Sequence, residues 1–177
     1  MDTGVFLLRI VIGLFFAGHG AQKLFGWFGG HGIEGTGGFF HGLGYRPGKA
    51  FATVAGLSEF FGGVLLALGL FTPLAAAAII GVMFNAVAAV HAKNGPWVTD
   101  GGWEYPAVLA TAVAAIAFIG PGVASIDNAL GLYVDGAAAG LFAIALGVVT
   151  GVATNVYRRV ASRSPRLAGG RDAQATA

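Results

Sequence analysis

Cysteine is absent from the 177 residues, and only 10% of them are charged. The first absence excludes disulfides, thiolate nucleophiles, Cys-ligated zinc and Cys-ligated iron–sulfur clusters within this chain. Thiol or sulfur chemistry would fall to a ligand or a partner. The second absence excludes a water-facing surface, since soluble domains carry about a quarter charged residues. What remains is apolar: hydrophobic residues make up 56%, and the mean hydropathy is +0.76. The chain reads as an all-α integral membrane protein.

A helix needs about 20 apolar residues to cross the hydrocarbon core. Five segments qualify, at 4–22, 50–71, 73–92, 105–122 and 136–157. The second and third are parted only by Thr72 and Pro73, which demands a tight helical hairpin with proline in the first turn, where its missing N–H costs nothing. The first segment has no basic n-region and "AGHGA" is a poor cleavage site, so it reads as a retained helix and not a signal peptide. Glycines such as Gly13 with Gly18, and Gly62 with Gly63, let helix backbones approach closely.

Basic residues fall on one side. Lys23, Arg46 and Lys49 follow the first span, Lys93 follows the third, and Arg158, Arg159, Arg163, Arg166 and Arg171 follow the fifth. The Thr72 turn and the loop from Val123 to Asp135 carry none. Positive residues stay inside, which places the N-terminus outside and the C-terminus in the cytoplasm of a bacterial inner membrane. The tail at 158–177 reads as basic and disordered, its arginines meeting anionic lipid heads. Without an aromatic or structured element beside them, they do not suggest nucleic acid.

The connection after the first span is too greasy for a solvated loop. Leu24, Trp27, Phe28, Ile33, Phe39, Phe40 and Tyr45 fall within 24–45, which reads as an interfacial or re-entrant segment with a short helix over 35–43. It either anchors aromatics at headgroup level or closes one wall of a ligand pocket.

Ionisable groups within spans are costly, and each calls for a partner or a function. Glu59 lies roughly 15 Å from either face, so it pairs with Arg9, Lys23 or a histidine, or it handles protons or a ligand. Arg9 either snorkels outward or holds a carboxylate or the carbonyls of the bundle. His19 and Lys23, four apart, share a helix face. Topology gathers His19, Lys23, Glu59, Asn85, His91 and Glu104 in the cytoplasmic half, with Trp27, Phe39 and Phe40 on the flap beside them. Two histidines on different helices suit a haem, yet no second pair accompanies them. Lys23 disfavours a metal cation. A quinone fits better: its carbonyls want a histidine or lysine donor, its ring wants Trp and Phe, and its reduction needs protons that a buried Glu59 can pass.

The ordered set "HGAQK", "EFFGG", "LGLFT" and "GPGVASID", spread over about residues 5–130, resembles the DoxX family of bacterial membrane proteins. The resemblance implies a compact four-helix transmembrane bundle over 1–135, to which this chain adds a fifth C-terminal span. It also implies an association with quinone-linked sulfur or thiol oxidation, including the DoxD-type subunit of thiosulfate:quinone oxidoreductases. The family pattern falls on Arg9, His19, Lys23, Glu59, Gly62, Gly63, Thr72, Glu104, Pro121, Ser125 and Asp127. "IGPGVASID" itself ends one helix and caps a short one, with Ser125 or Asp127 taking orphan amides.

Three functions compete. The first is a subunit of a quinone-linked redox system, working with soluble or membrane redox partners, with Glu59 and His19 as its reactive groups and the remaining cluster binding the ligand. The second is a non-catalytic membrane anchor or assembly subunit. The third is a small-solute or proton pathway, for which no inverted repeat is visible. A homo-oligomer is compatible with each.

Overall fold

The computed structural model describes residues 2–163. It is all-helical, with no strand among the described residues. The helices are α1 (Asp2–Phe25), α2 (Gly32–Gly42), α3 (Gly48–Leu68), α4 (Thr72–Ala86), α5 (Glu104–Ile119), α6 (Ile126–Ala129) and α7 (Gly136–Arg163). Helix α4 continues through a π turn at Val87–His91 and a 3₁₀ turn at Ala92–Asn94. Four stretches are long and apolar enough to cross a membrane: Thr3–Phe25, Gly48–Leu68, Thr72–Asn94 and Gly136–Arg163. Their outward faces carry Leu7, Leu14, Phe15, Val54, Leu141 and Val149, all exposed. This is a multi-pass membrane protein, and the outward faces meet lipid.

Glycine sets the spacing of α1 and α3. A methyl group on Gly13 would sit 2.6 Å from the Gly63 carbonyl oxygen, and one on Gly63 would sit 2.4 Å from the Ala17 nitrogen. The two backbones touch, which is how small residues hold helices together when lipid offers no hydrophobic drive. Helix α3 ends at Gly69 in the left-handed region, with φ 63°. There the Gly69 amide donates to Leu66 O at 3.1 Å and the Leu70 amide to Leu65 O at 2.9 Å. Two residues later Thr72 and Pro73 open α4, completing the hairpin.

Helix α4 lies at the centre. It packs on α3, α5 and most extensively on α7, and its Ile79 is fully buried beside Leu66, Val113 and Ile116. On α7, Gly147 and Gly151 admit Ile80 and Phe84 of α4.

Two elements differ in extent from the sequence expectation. Helix α5 stops at Ile119, because Gly120 (φ 92°) and Pro121 cannot continue it, and its 16 residues rise about 24 Å. It still runs from the α4 end to Arg9 at the opposite end. Helix α7 runs on to Arg163, so Arg158, Arg159 and Arg163 belong to a helix and not to a tail. The rest of the expected tail, 164–177, lies outside the described residues. The interfacial segment contains α2, which packs on α3 so closely that a methyl group on Gly48 would sit 2.2 Å from the Gly37 carbonyl oxygen.

Candidate functional site

Polar side chains gather at two ends of the bundle. At the α3–α4 turn, Arg9 is 1% exposed and holds carbonyls. Its guanidinium donates to Pro121 O, to Ala124 O at 2.7 Å and to Ala67 O at 3.5 Å. Beside it the buried Asp127 carboxylate accepts from the Phe71 amide (2.8 Å), the Thr72 amide (3.0 Å) and the Thr72 hydroxyl (2.9 Å). A carboxylate on the first amides of α4 neutralises the positive end of that helix. Ser125 caps α6 through the Asn128 amide at 3.1 Å. Asp127 thus serves orphan amides of α4, and Ser125 those of α6.

Between α3, α4 and α7 lies a cavity of about 460 Å³, roofed at the other end of the bundle by the α2 segment. Lys23 and Glu59 stand in its wall, and Lys23 Nζ lies 2.5 Å from Glu59 Oε2. The glutamate side chain is 4% exposed and the lysine 24%. Phe39 and Phe40 of α2 border the same space, as does Asn85 of α4. Asn85 accepts from the Tyr45 hydroxyl at 2.9 Å and donates to Gly81 O and Gly151 O, so it ties α4 to the flap and to α7. Beyond these groups the lining is mainly apolar.

The structure therefore brings Lys23, Glu59, Asn85, Phe39 and Phe40 to one cavity, and leaves the other expected site residues outside its lining. Arg9 is at the far end. His19 meets Gln22 Oε1 at 3.1 Å, and Gln22 in turn holds Phe28 O, so this histidine faces the α1–α2 connection. His91 ends the π turn and meets Gly101 O at 2.6 Å, while Glu104 accepts from the Val98 amide. Both organise the loop at 95–103. Asn85 and His91 are six residues apart, about 240° round an α-helix, so they share one end of the bundle without sharing the cavity face. Trp27 packs between Phe25 and Phe28 at the exposed loop tip.

Several cavity residues escaped the sequence reading. Tyr45 was one greasy residue among many there, yet it is buried and lies in a row of rings: Phe40 at 5.1 Å, Phe51 at 5.3 Å, then Tyr157 5.3 Å beyond Phe51. Arg158 lies 5.7 Å over the Tyr45 ring and donates to Leu43 O at 3.0 Å, and Tyr157 donates to Arg46 O at 2.9 Å. Burial pushes the Tyr45 phenol above its ordinary range, with Arg158 pulling the other way. Ser58, Thr150 and Thr154 also line the space. The signal for the last two was the stripe of Gly147, Thr150, Gly151 and Thr154, which repeats at helical spacing along one face of α7.

The DoxX family model matches residues 4–92, which covers α1 through the π turn of α4 and leaves α5 and α7 outside. No curated protein and no solved structure matches the chain.

Proposed function

The chain belongs to the DoxX family, and from that premise we propose that it is the quinone-binding membrane subunit of a thiol- or sulfur-oxidising redox system. The observation that carries this reading is the Lys23–Glu59 ion pair set in the wall of a mainly apolar, partly aromatic cavity. The donor set suits a quinone. An ammonium gives one N–H to Glu59 and keeps others for a carbonyl oxygen, Phe39 and Phe40 cover a ring, and the remaining walls accept hydrocarbon.

A bound quinone supplies two-electron acceptor chemistry. Lys23 binds and orients the carbonyl, Glu59 fixes Lys23 and holds or releases a proton at its carboxylate, and the α2 flap excludes water. With no cysteine in the chain, the thiol or sulfur compound is oxidised on a partner protein. The segregation of basic residues supports an outside N-terminus and a cytoplasmic C-terminus in a bacterial inner membrane.

The test is small-molecule content. Detergent-purified wild type should yield about one quinone per chain on solvent extraction, Glu59→Gln and Lys23→Met should lose most of it, and His19→Ala should keep it. An empty wild type, with Glu59→Gln merely less stable, would sink this reading and leave a structural ion pair in a membrane anchor subunit. A Soret band would point to haem instead.

A further inference from the structure

The cavity is longer than a ring requires. Its lining on α4 begins at Leu74, beside the α3–α4 turn, and ends at Val90 in the π turn. That distance is about 24 Å of helix, close to the thickness of a hydrocarbon core. The shape follows from packing. Helices α3 and α7 both lie against α4 but barely against each other, so α4 floors a trough between them. At the flap end the trough is bridged, where the Phe51 and Tyr157 rings lie 5.3 Å apart. Along its length the rims carry exposed Val54 of α3 and exposed Thr150 of α7. The trough opens sideways, toward lipid.

Its polarity is graded as well. Glu59 stands about midway along the trough, since Gly62, one turn from it, packs against Ala75, Ala78 and Ile79, and the Tyr45–Asn85 hydrogen bond lies on its flap side. Thr150 and Thr154 spend their hydroxyl protons on carbonyls of their own helix. Beyond Glu59, toward the α3–α4 turn, the lining is Leu74, Ala77, Ala78 and Leu146.

We propose that this trough seats the hydrocarbon tail of a membrane quinone, which enters sideways between α3 and α7 and lies along α4 with its head at Lys23 and Glu59. This rests on the quinone reading above and adds the substrate class: a long-tailed quinone taken from the bilayer. Lipid is as apolar as the trough, so the tail gains from close packing and not from leaving water. The gain is therefore modest, roughly tenfold in affinity. Helix α7, outside the family match, supplies one whole side and is the element that selects the tail.

In nanodiscs, photolysis of a decyl-tailed benzoquinone with a diazirine at the tail end should label Leu74, Ala78 or Leu146, in competition with the unlabelled quinone. The ratio of affinities for the decyl and the tail-less benzoquinone should fall from roughly tenfold to under twofold in Ala78→Trp. Leu146→Trp, from the facing helix, should do the same and stands in if the first variant does not fold. Tail-less quinone that binds while the label scatters over the lipid face of α1 would overturn the tail assignment and spare the head site. A label displaced by phospholipid but not by quinone would overturn both.

Discussion

Asp127, in the short helix α6, accepts hydrogen bonds from both the amide and the hydroxyl of Thr72, 55 residues earlier. One carboxylate thereby joins the α5–α7 connection to the first turn of α4. It does so beside Arg9, whose guanidinium holds the same connection through Pro121 and Ala124.

Removing that carboxylate leaves the Phe71 and Thr72 amides and the Thr72 hydroxyl without a partner. Buried hydrogen bonds to a charged acceptor contribute about 1.5–3 kcal/mol each, and not additively. Asp127→Ala should cost about 2–4 kcal/mol and Thr72→Val about 1 kcal/mol. Unfolding in a graded mixture of mild and denaturing detergent measures both, and equal costs would contradict the geometry.

Gly69 and Gly18 make a paired test. Gly69 has φ 63°, and an added methyl group would lie 2.6 Å from Ser125 Cβ and 2.7 Å from Arg9 Cζ. Gly18 is helical and has nothing within 4 Å of that position. Gly69→Ala should therefore fail to give a monodisperse protein on size exclusion. Gly18→Ala should be neutral or slightly stabilising, by up to about 1 kcal/mol from helix propensity alone.

Tyr45 sets an alkaline limit. Burial raises its phenol, so the folded state keeps the proton that the unfolded chain gives up near pH 10 or so. The stability linked to it is whole below that ordinary value and is lost as pH rises toward the folded one. Tyr45→Phe forfeits the hydrogen bond to Asn85, about 1 kcal/mol at neutral pH, but has nothing to ionise. The gap in melting temperature between wild type and variant should shrink on going from neutral to strongly alkaline buffer. A gap that does not change with pH would mean that the phenol is not shielded.

The flap is held by α7, through Arg158 to Leu43 O and Tyr157 to Arg46 O. Cutting both contacts in Arg158→Ala with Tyr157→Phe should raise amide exchange in α2 by roughly tenfold, the effect of about 1.4 kcal/mol in local opening. Exchange in α4 should be unmoved. A uniform rise across the bundle would instead show global loosening.

What the sequence made legible was whatever hydrophobic length and the cost of buried charge decide. The helices follow from runs of apolar residues, with the hairpin marked by Thr72 and Pro73, although the spans end earlier than expected at Gly69 and Gly120. A carboxylate as deep as Glu59 had to find a partner, and Lys23 was among the named candidates. What stayed hidden depends on rotation and on contacts across long chain separations. His91 shares an end of the bundle with Asn85 but not its helix face, and turns to Gly101 O instead. Tyr45 owes its place to Arg158 and Tyr157, more than a hundred residues away, and Asp127 serves α4 because α5 returns the chain beside it. The role of α7 in the cavity stayed dark for a related reason. Its polar residues in the cavity are threonines, and threonine in an apolar helix reads as little more than packing.

The placement of Arg9 bears on biogenesis. Two of its carbonyl partners, Pro121 and Ala124, stand 112 and 115 residues downstream. An insertion machinery working from the N-terminus therefore releases α1 with a charge whose partners have yet to be synthesised. Until α5 arrives, Arg9 must stay near water or remain sheltered by the insertase. The first helix thus waits on the fifth, and a chain truncated before Pro121 should be recognised and degraded as an orphan even though its glycine-packed α1–α3 pair is already complete.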